Sequence, residues 1–281
     1  MADRFKKVTL EILVATMNRN NLDFLIPMFP FAHFSEFSIL VVNQTDEENL
    51  LLSNFSNVRI LNSFENGLSK SRNLALKNTI GEIAIIADDD VIFLPNFQET
   101  IIDAHQKNSD FSIICFQTLT TENKPYSKYW KQEFAMKEKH FLNVLSIELT
   151  FKTQDLKEKN VIFNEHFGLG AQFQDAESLF FLRRANRSQA KVLFSPQNIV
   201  MHEEYSSSDE IVSDRLLYAK MAGFYKKYQS LAYILLLKFV FYLLRKKLIS
   251  TSQIVPKLKI GSKGISDYKA LIKTKKENFY D

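Results

Sequence analysis

The sequence predicts an α/β protein, an open mixed sheet flanked by helices, with an amphipathic helical segment after it. Three observations carry this reading. Short apolar, β-branched runs alternate with stretches of helix length as far as Met201. Several of these runs stop abruptly in polar or acidic residues. Beyond them, Arg215 to Ser266 contains 11 Lys and Arg and no Asp or Glu, so two parts of the chain face different partners.

Taken in order, Thr9 to Ala15 is the first strand. Glu11 lies inside this apolar run, which therefore reads as a strand and not as a secretory signal. Thr16, Asn18 and Arg19 follow it directly, and polar residues beyond the carboxyl end of a buried strand are well placed to meet a ligand. Phe37 to Val42 is the second strand, ending in Asn43 and Gln44, and Val58 to Leu61 is the third. Gly67 to Asn78 is a helix with Leu68, Leu74, Ala75 and Leu76 available to the sheet. Lys70 and Arg72 fall in its first turn, where the macrodipole disfavours cations. An anion such as a diphosphate, held with the amides of that turn, would account for them; plain solvation is the alternative.

Ile83 to Ala87 reads as a strand buried on both faces, and it ends in Asp88, Asp89 and Asp90. Mutual repulsion among three adjacent carboxylates is relieved by a hard divalent cation, unless the segment simply emerges into water. Pro95 to Lys107 is a helix and Phe111 to Gln117 a strand. That strand holds Cys115, the one cysteine, so no intrachain disulfide can form and a reducing compartment fits. Glu122 to Lys139, with Tyr129 and Trp130, has no clear period and is expected to be a mobile loop on the acceptor side. Ser146 to Phe151 alternates as a strand, and Lys152 to Lys159 reads as solvated charged chain.

Gly168 and Gly170 supply a close-approach loop before a helix from Asp175 to Arg184. Asp175 and Glu177 stand at its N-terminus, where capping favours carboxylates; for Glu177 a general base is the alternative. Lys191 to Phe194 and Ile199 to Met201 are short strands leading to His202, which is either structural or a further metal or phosphate contact.

These stretches form an ordered set: V-A-T-M-N-R (14–19), G-L-S-K-S-R-N (67–73), A-D-D-D (87–90), F-N-E-H-F-G-L-G (163–170), A-E-S-L-F-F-L (176–182) and V-M-H-E (200–203). Together they resemble the motifs of inverting glycosyltransferases of family 2, with the GT-A nucleotide-sugar fold, in a branch common in bacterial capsule, exopolysaccharide and lipopolysaccharide loci. The resemblance covers residues 8–205. It implies that Thr16, Asn18, Arg19 and Asn43 approach the nucleobase and ribose, that Lys70 and Arg72 face the nucleotide, and that Asp88 meets the ribose or sugar. It implies Mg²⁺ or Mn²⁺ at Asp90, with Asp88 and His202, while Asp89 assists either neighbour. Glu177 becomes the preferred base and Asp175 the substitute. Two departures stand out: Asn43-Gln44 where the family often has an acid, and Glu177-Ser178 where it usually has an acidic pair.

The implied activity is metal-dependent, inverting transfer of a sugar, UDP-linked by preference, to a hydroxyl of a glycan or lipid-linked acceptor. The competing reading is an inactive nucleotide-sugar-binding or assembly subunit of a polysaccharide synthesis complex. A phosphotransferase is disfavoured, since no glycine loop cradles phosphate. The expected domains are residues 1–214, catalytic and carrying −8, and residues 215–281, carrying +12. In the second, Lys220, Lys227, Lys238 and Arg245 are 7, 11 and 7 apart, which on a helix puts them within about 20° of one another, one basic stripe on an otherwise apolar and aromatic helix. Residues 215–250 are therefore expected to lie on an anionic membrane, peripheral to the cytoplasmic face of the plasma membrane. Packing on protein, including a homodimer, is the alternative, and the apolar content argues against nucleic acid.

Overall fold

In the computed structural model, which describes residues 8–204 and 211–274, the sheet grows outward from β1 (Leu10–Met17). It pairs in parallel with β2 (Ser38–Gln44) on one side and with β4 (Ile83–Asp88) on the other. β3 (Val58–Ser63) lies beyond β2, again parallel. The direction in which strands are added thus reverses between β1 and β4, the switch point at which an open α/β sheet forms its ligand crevice.

α1 (Leu25–Met28) follows β1, and α2 (Leu68–Asn78) connects β3 to β4. Past β4 come β5 (Ile92–Phe93), α3 (Phe97–Lys107), β6 (Ile113–Thr120), β7 (Phe134–Ala135), β8 (Leu149–Lys152), α4 (Thr153–Glu158), α5 (Glu177–Arg187) and β9 (Val192–His202). β8 is antiparallel between β4 and β6, β6 runs parallel to β9, and β5 and β7 pair antiparallel with β9. The sheet is mixed, as expected.

Side chains alternate across the strands and fill two cores. On one face Ile12, Val14, Ile39 and Ile85 pack with Phe97 and Ile101 of α3. On the other, Leu13, Leu40 and Ile86 meet Ala75 and Leu76 of α2 and Phe181 and Leu182 of α5. Part of the phenylalanine excess belongs to the first face, where Phe29 stacks on Phe37 at 4.6 Å and Phe93 meets Phe97 at 4.4 Å.

Four local expectations change. The two short strands before His202 are one strand, irregular in register against β6. Lys152 to Lys159 is not solvated chain but contains α4, tied down where the Thr153 hydroxyl donates to the Gly81 carbonyl at 2.6 Å. Ser146–Glu148 forms a 3-10 turn, and only Leu149–Lys152 is extended. Glu122 to Lys139 is pinned by β7 and by Trp130, whose ring lies 5.3 Å from that of Phe194.

The polypeptide forms two compact units. The sheet unit takes the described residues up to Phe163 and then Ser178–Glu204; the other takes Asn164–Glu177 and the described residues beyond Ile211. The division differs from the one expected at 214/215: the sheet unit ends at Glu204, Asp214 opens the first helix of the second unit, and the glycine loop belongs with the C-terminal helices. Those helices are α6 (Asp214–Tyr228), α7 (Ala232–Arg245) and α8 (Ile254–Lys273), packed about Leu217, Met221, Leu236, Leu243 and Ile265. Phe173 of the loop stacks on Tyr218 at 5.3 Å, and Gln172 Nε2 donates to the Tyr218 hydroxyl at 3.1 Å.

By length and composition Asp214–Arg245 is apolar enough to cross a membrane. The backbone nevertheless turns between α6 and α7 at Gln229, where φ is 52° and ψ −133°, angles that no helix contains. The same turn breaks the single basic stripe: Lys220 and Lys227 belong to α6, Lys238 and Arg245 to α7.

α6 and α8 approach closely at Gly264, where a Cβ would overlap the Tyr218 carbonyl. Gly264→Ala is expected to destabilise the helical unit by about 1–3 kcal/mol and lower its thermal midpoint by several degrees in circular dichroism. Gly261→Ala, whose closest clash is the movable end of the Leu236 side chain, should cost less.

Candidate active site

β4 delivers three adjacent acids to the crevice end of the sheet, and each takes a different basic partner. Asp88, its last residue, lies in register beside Ala15 of β1. Its Oδ1 accepts from Arg72 Nη2 at 2.8 Å. The Arg72 side chain is 1% exposed, donates also to Ser146 Oγ at 2.8 Å and lies over the Phe163 ring. Asp89 Oδ2 accepts from Arg19 Nη2 at 2.6 Å, Arg19 Nε at 2.9 Å and the Thr16 hydroxyl at 2.5 Å. Asp90 faces His202 Nε2 at 3.3 Å. Sheet register explains the last pair: Ile92 lies opposite Met201 in antiparallel β5 and β9, so the residue after Met201 reaches the chain just before Ile92.

His202 is oriented by its own neighbour. Nδ1 donates to the Glu203 carbonyl at 2.8 Å, so in the neutral ring the lone pair sits on Nε2, toward Asp90. The hydrogen bond to Asp90 raises the His202 pKa above its ordinary value, against the effect of burial. Among the described residues no three His, Cys, Asp or Glu side chains group as an enclosing metal site. Asp90 and His202 face each other and would be the two protein ligands of a bound ion, while Asp88 engages Arg72. Such a pair fits Mg²⁺ or Mn²⁺ whose other ligands are phosphate oxygens and water, the usual manner of ions that serve phosphate substrates.

The remaining residues expected at the nucleotide form the rim. Asn43 is fully buried and clamps the Arg19 backbone, accepting from its N–H at 3.1 Å and donating to its carbonyl at 3.0 Å. Asn18 has φ 53°, a conformation Asn tolerates, and its N–H donates to the Gln44 carbonyl at 2.8 Å. Gln44 Oε1 in turn accepts from Gly67 N–H at 2.6 Å, at the start of α2. Lys70, one turn on, pairs with Glu65 at 2.6 Å. Thr16, Arg19 and Asn43 are hydrogen-bonded to one another or to Asp89 at the strand ends, but Arg72 and Asn43, expected to face the nucleotide, are buried and bound to protein groups, whereas Arg19 is partly exposed.

α5 begins at Glu177 and not at Asp175, because Ala176 between them has φ 68°. A left-handed alanine costs about 1–2 kcal/mol. It leaves Asp175 outside the helix, its N–H donating to the Phe173 carbonyl at 2.9 Å, and Glu177 in the first turn, where the dipole favours negative charge. Both acids are half-buried. Arg215 Nη1 supports this segment by donating to the Gln174 carbonyl at 3.2 Å.

Sequence reasoning missed Glu148. It is 1% exposed and accepts from the Tyr129 hydroxyl, from Thr118 Oγ1 at 3.2 Å and from Leu145 N–H at 3.0 Å. Burial pushes its pKa up to about 7 and that of Tyr129 up as well. A signal was available: Ser146, Glu148 and Thr150 recur every second residue, and all three are buried, the first two in the 3-10 turn and Thr150 in β8 between β4 and β6.

A switch-point crevice rimmed by fixed aspartates, a basic helix start and a carboxylate–histidine pair define a class, the α/β enzymes that act on nucleotide-linked substrates. A sequence profile described as glycosyl transferase family 2 matches residues 33–180, just over half of the 281, and the chain belongs to that family. It is a glycosyltransferase with the GT-A fold. Among solved structures, Staphylococcus aureus TarS is similar, with 16% identity and a TM-score of 0.52 over 93% of this chain and 54% of TarS. This chain therefore spans about half the length of that structure. TarS 1-349 in complex with UDP-GlcNAc gives 15% identity and a TM-score of 0.52, covering 96% of this chain and 92% of the other. No curated protein sequence matches. At these identities the structural likeness speaks for the fold.

Glu148 gives the site unit a pH signature. Its folded pKa of about 7 exceeds the ordinary 4.5, so the native state keeps a proton that the unfolded chain releases between those values. Its stability contribution therefore falls as pH rises from about 4.5 to 7, by about 3 kcal/mol in all. Urea unfolding of wild type and Glu148→Gln should show the variant gaining that amount on wild type between about pH 4.5 and pH 8. An unchanged gap would mean that the carboxyl titrates as it does in water.

Proposed function

We propose that the protein transfers a sugar from a nucleotide-sugar donor, UDP-linked by preference, to a hydroxyl of a glycan or lipid-linked saccharide, with inversion. The proposed setting is bacterial surface polysaccharide synthesis, in the cytoplasm at the inner face of the plasma membrane. The observation that carries the donor half is the meeting of the β1 end, the β2 end, the α2 start and the three aspartates in one rim. TarS structures with UDP and with UDP-GlcNAc support the choice of nucleotide.

In this reading Thr16, Asn18 and Arg19 form the nucleoside side of the pocket and Asn43 acts on it through the Arg19 backbone. Arg72 orients Asp88 toward the ribose or sugar, and Arg19 with Thr16 orients Asp89. Lys70 offers its ammonium to the diphosphate in exchange for the solvated Glu65. Asp90 and His202 would hold Mg²⁺ or Mn²⁺, which when bound supplies Lewis-acid neutralisation of the departing diphosphate. Glu177 takes the proton of the acceptor hydroxyl, with Asp175 the substitute.

Ser178 favours a second reading, a donor-binding subunit without turnover. It is a buried neutral residue beside Glu177, so the acidic pair of the family is incomplete.

Nucleotide release from a panel of nucleotide sugars, with and without acceptor, separates the readings. Glu177→Gln should lower kcat by roughly two to four orders of magnitude, and Asp175→Asn by less than about tenfold. The reverse order would make Asp175 the base, and binding without turnover across the panel would favour the subunit. Asp90→Asn and EDTA should each abolish turnover in wild-type conditions, with Mn²⁺ rescuing only the chelated enzyme.

A further inference from the structure

α7 has two apolar faces, and among the described residues only one packs into a core. Ala232, Leu236, Val240 and Leu243 are buried in the helical unit. On the outer side Ile234 is 51% exposed, Leu237 58%, Phe241 64% and Tyr233 38%. These four fall within about 100° of arc on a helix of 3.6 residues per turn. Lys238 and Arg245, the only charged residues of α7, flank that arc at about 80–100° from Leu237. Leu231 and Leu248, just outside the two ends of the helix, are also exposed.

A row of large exposed side chains along one helix marks an interaction surface, and charge decides its occupant. The chain from Arg215 to Ser266 carries 11 cations and no acid. A second copy docked through this face would set Lys238 and Arg245 against like charges with no carboxylate of that stretch to answer them. An anionic lipid surface answers both features: acyl chains accept the apolar arc, and headgroup phosphates accept cations whose stems lie along it.

We propose that α7 lies in the plane of an anionic bilayer, with Tyr233, Ile234, Leu237 and Phe241 at the acyl boundary and Lys238 and Arg245 at the headgroups. The inference goes beyond the sugar-transfer reading and does not require turnover.

Flotation of the full chain with phosphatidylcholine vesicles, with and without phosphatidylglycerol, tests it. Binding is expected on the anionic vesicles and should weaken as salt rises. Leu237→Glu with Phe241→Glu should lower partition at least about tenfold. Lys238→Ala and Arg245→Ala should each lower it about fivefold, and neither pair should change the circular dichroism. Equal binding to neutral vesicles, or binding indifferent to both pairs of substitutions, would overturn the proposal. So would attachment that resists alkaline carbonate, which indicates a spanning segment. A dimer in sedimentation that Leu237→Glu dissolves, without vesicle binding, would assign the face to a second copy.

Discussion

The structure depends on how it separates three adjacent negative charges. Asp88, Asp89 and Asp90 leave a buried strand in direct succession, so that their charges repel one another. The fold sends them to three partners from three parts of the chain: Arg72 from α2, Arg19 from the β1 loop, and His202 from the end of β9. Each pairing also fixes an element. Arg72 holds α2 against the β4 end, Arg19 with Thr16 joins β1 to β4, and His202 joins the last strand to the turn.

The three pairings differ in what they permit. Arg72 is buried, bonded twice and stacked over Phe163, so losing Asp88 would strand a cation without water, a costly state. Asp88 is thereby committed to one orientation before any ligand arrives. Arg19 is more exposed and more readily exchanged. His202 and Asp90 hold the longest of the three contacts, and Asp90 is the most exposed of the three acids. Rigidity therefore decreases from the sheet outward, from Asp88 to Asp90.

Much of this was legible in the sequence, because strands buried on both faces announce themselves as β-branched runs and their polar ends mark the crevice. β1, β2, β3, β4, α2 and α3 were read within a few residues, and the acids, the helix start and His202 were singled out. The partners of the acids were not legible. Repulsion among the aspartates pointed to an external cation, whereas Arg19 and Arg72 supply much of the relief internally; nothing in linear spacing brings Arg72 to Asp88. Glu148 escaped because Ser146 to Phe151 alternates like a strand, whereas Ser146–Glu148 is a buried 3-10 turn carrying a polar network. In the tail, the 3.6-residue period was sound for each helix, but a left-handed Gln229 ended the periodicity that joined them.

The second unit gains a common logic from the segment it recruits. Asn164–Glu177 carries both candidate proton acceptors and packs on α6 through Phe173, Gln172 and Gln174, while α7 bears the exposed apolar arc. Strain at Ala176 keeps Asp175 and Glu177 on different backbone conformations, and stacked aromatic rings with buried Tyr268 behind them stabilise that arrangement.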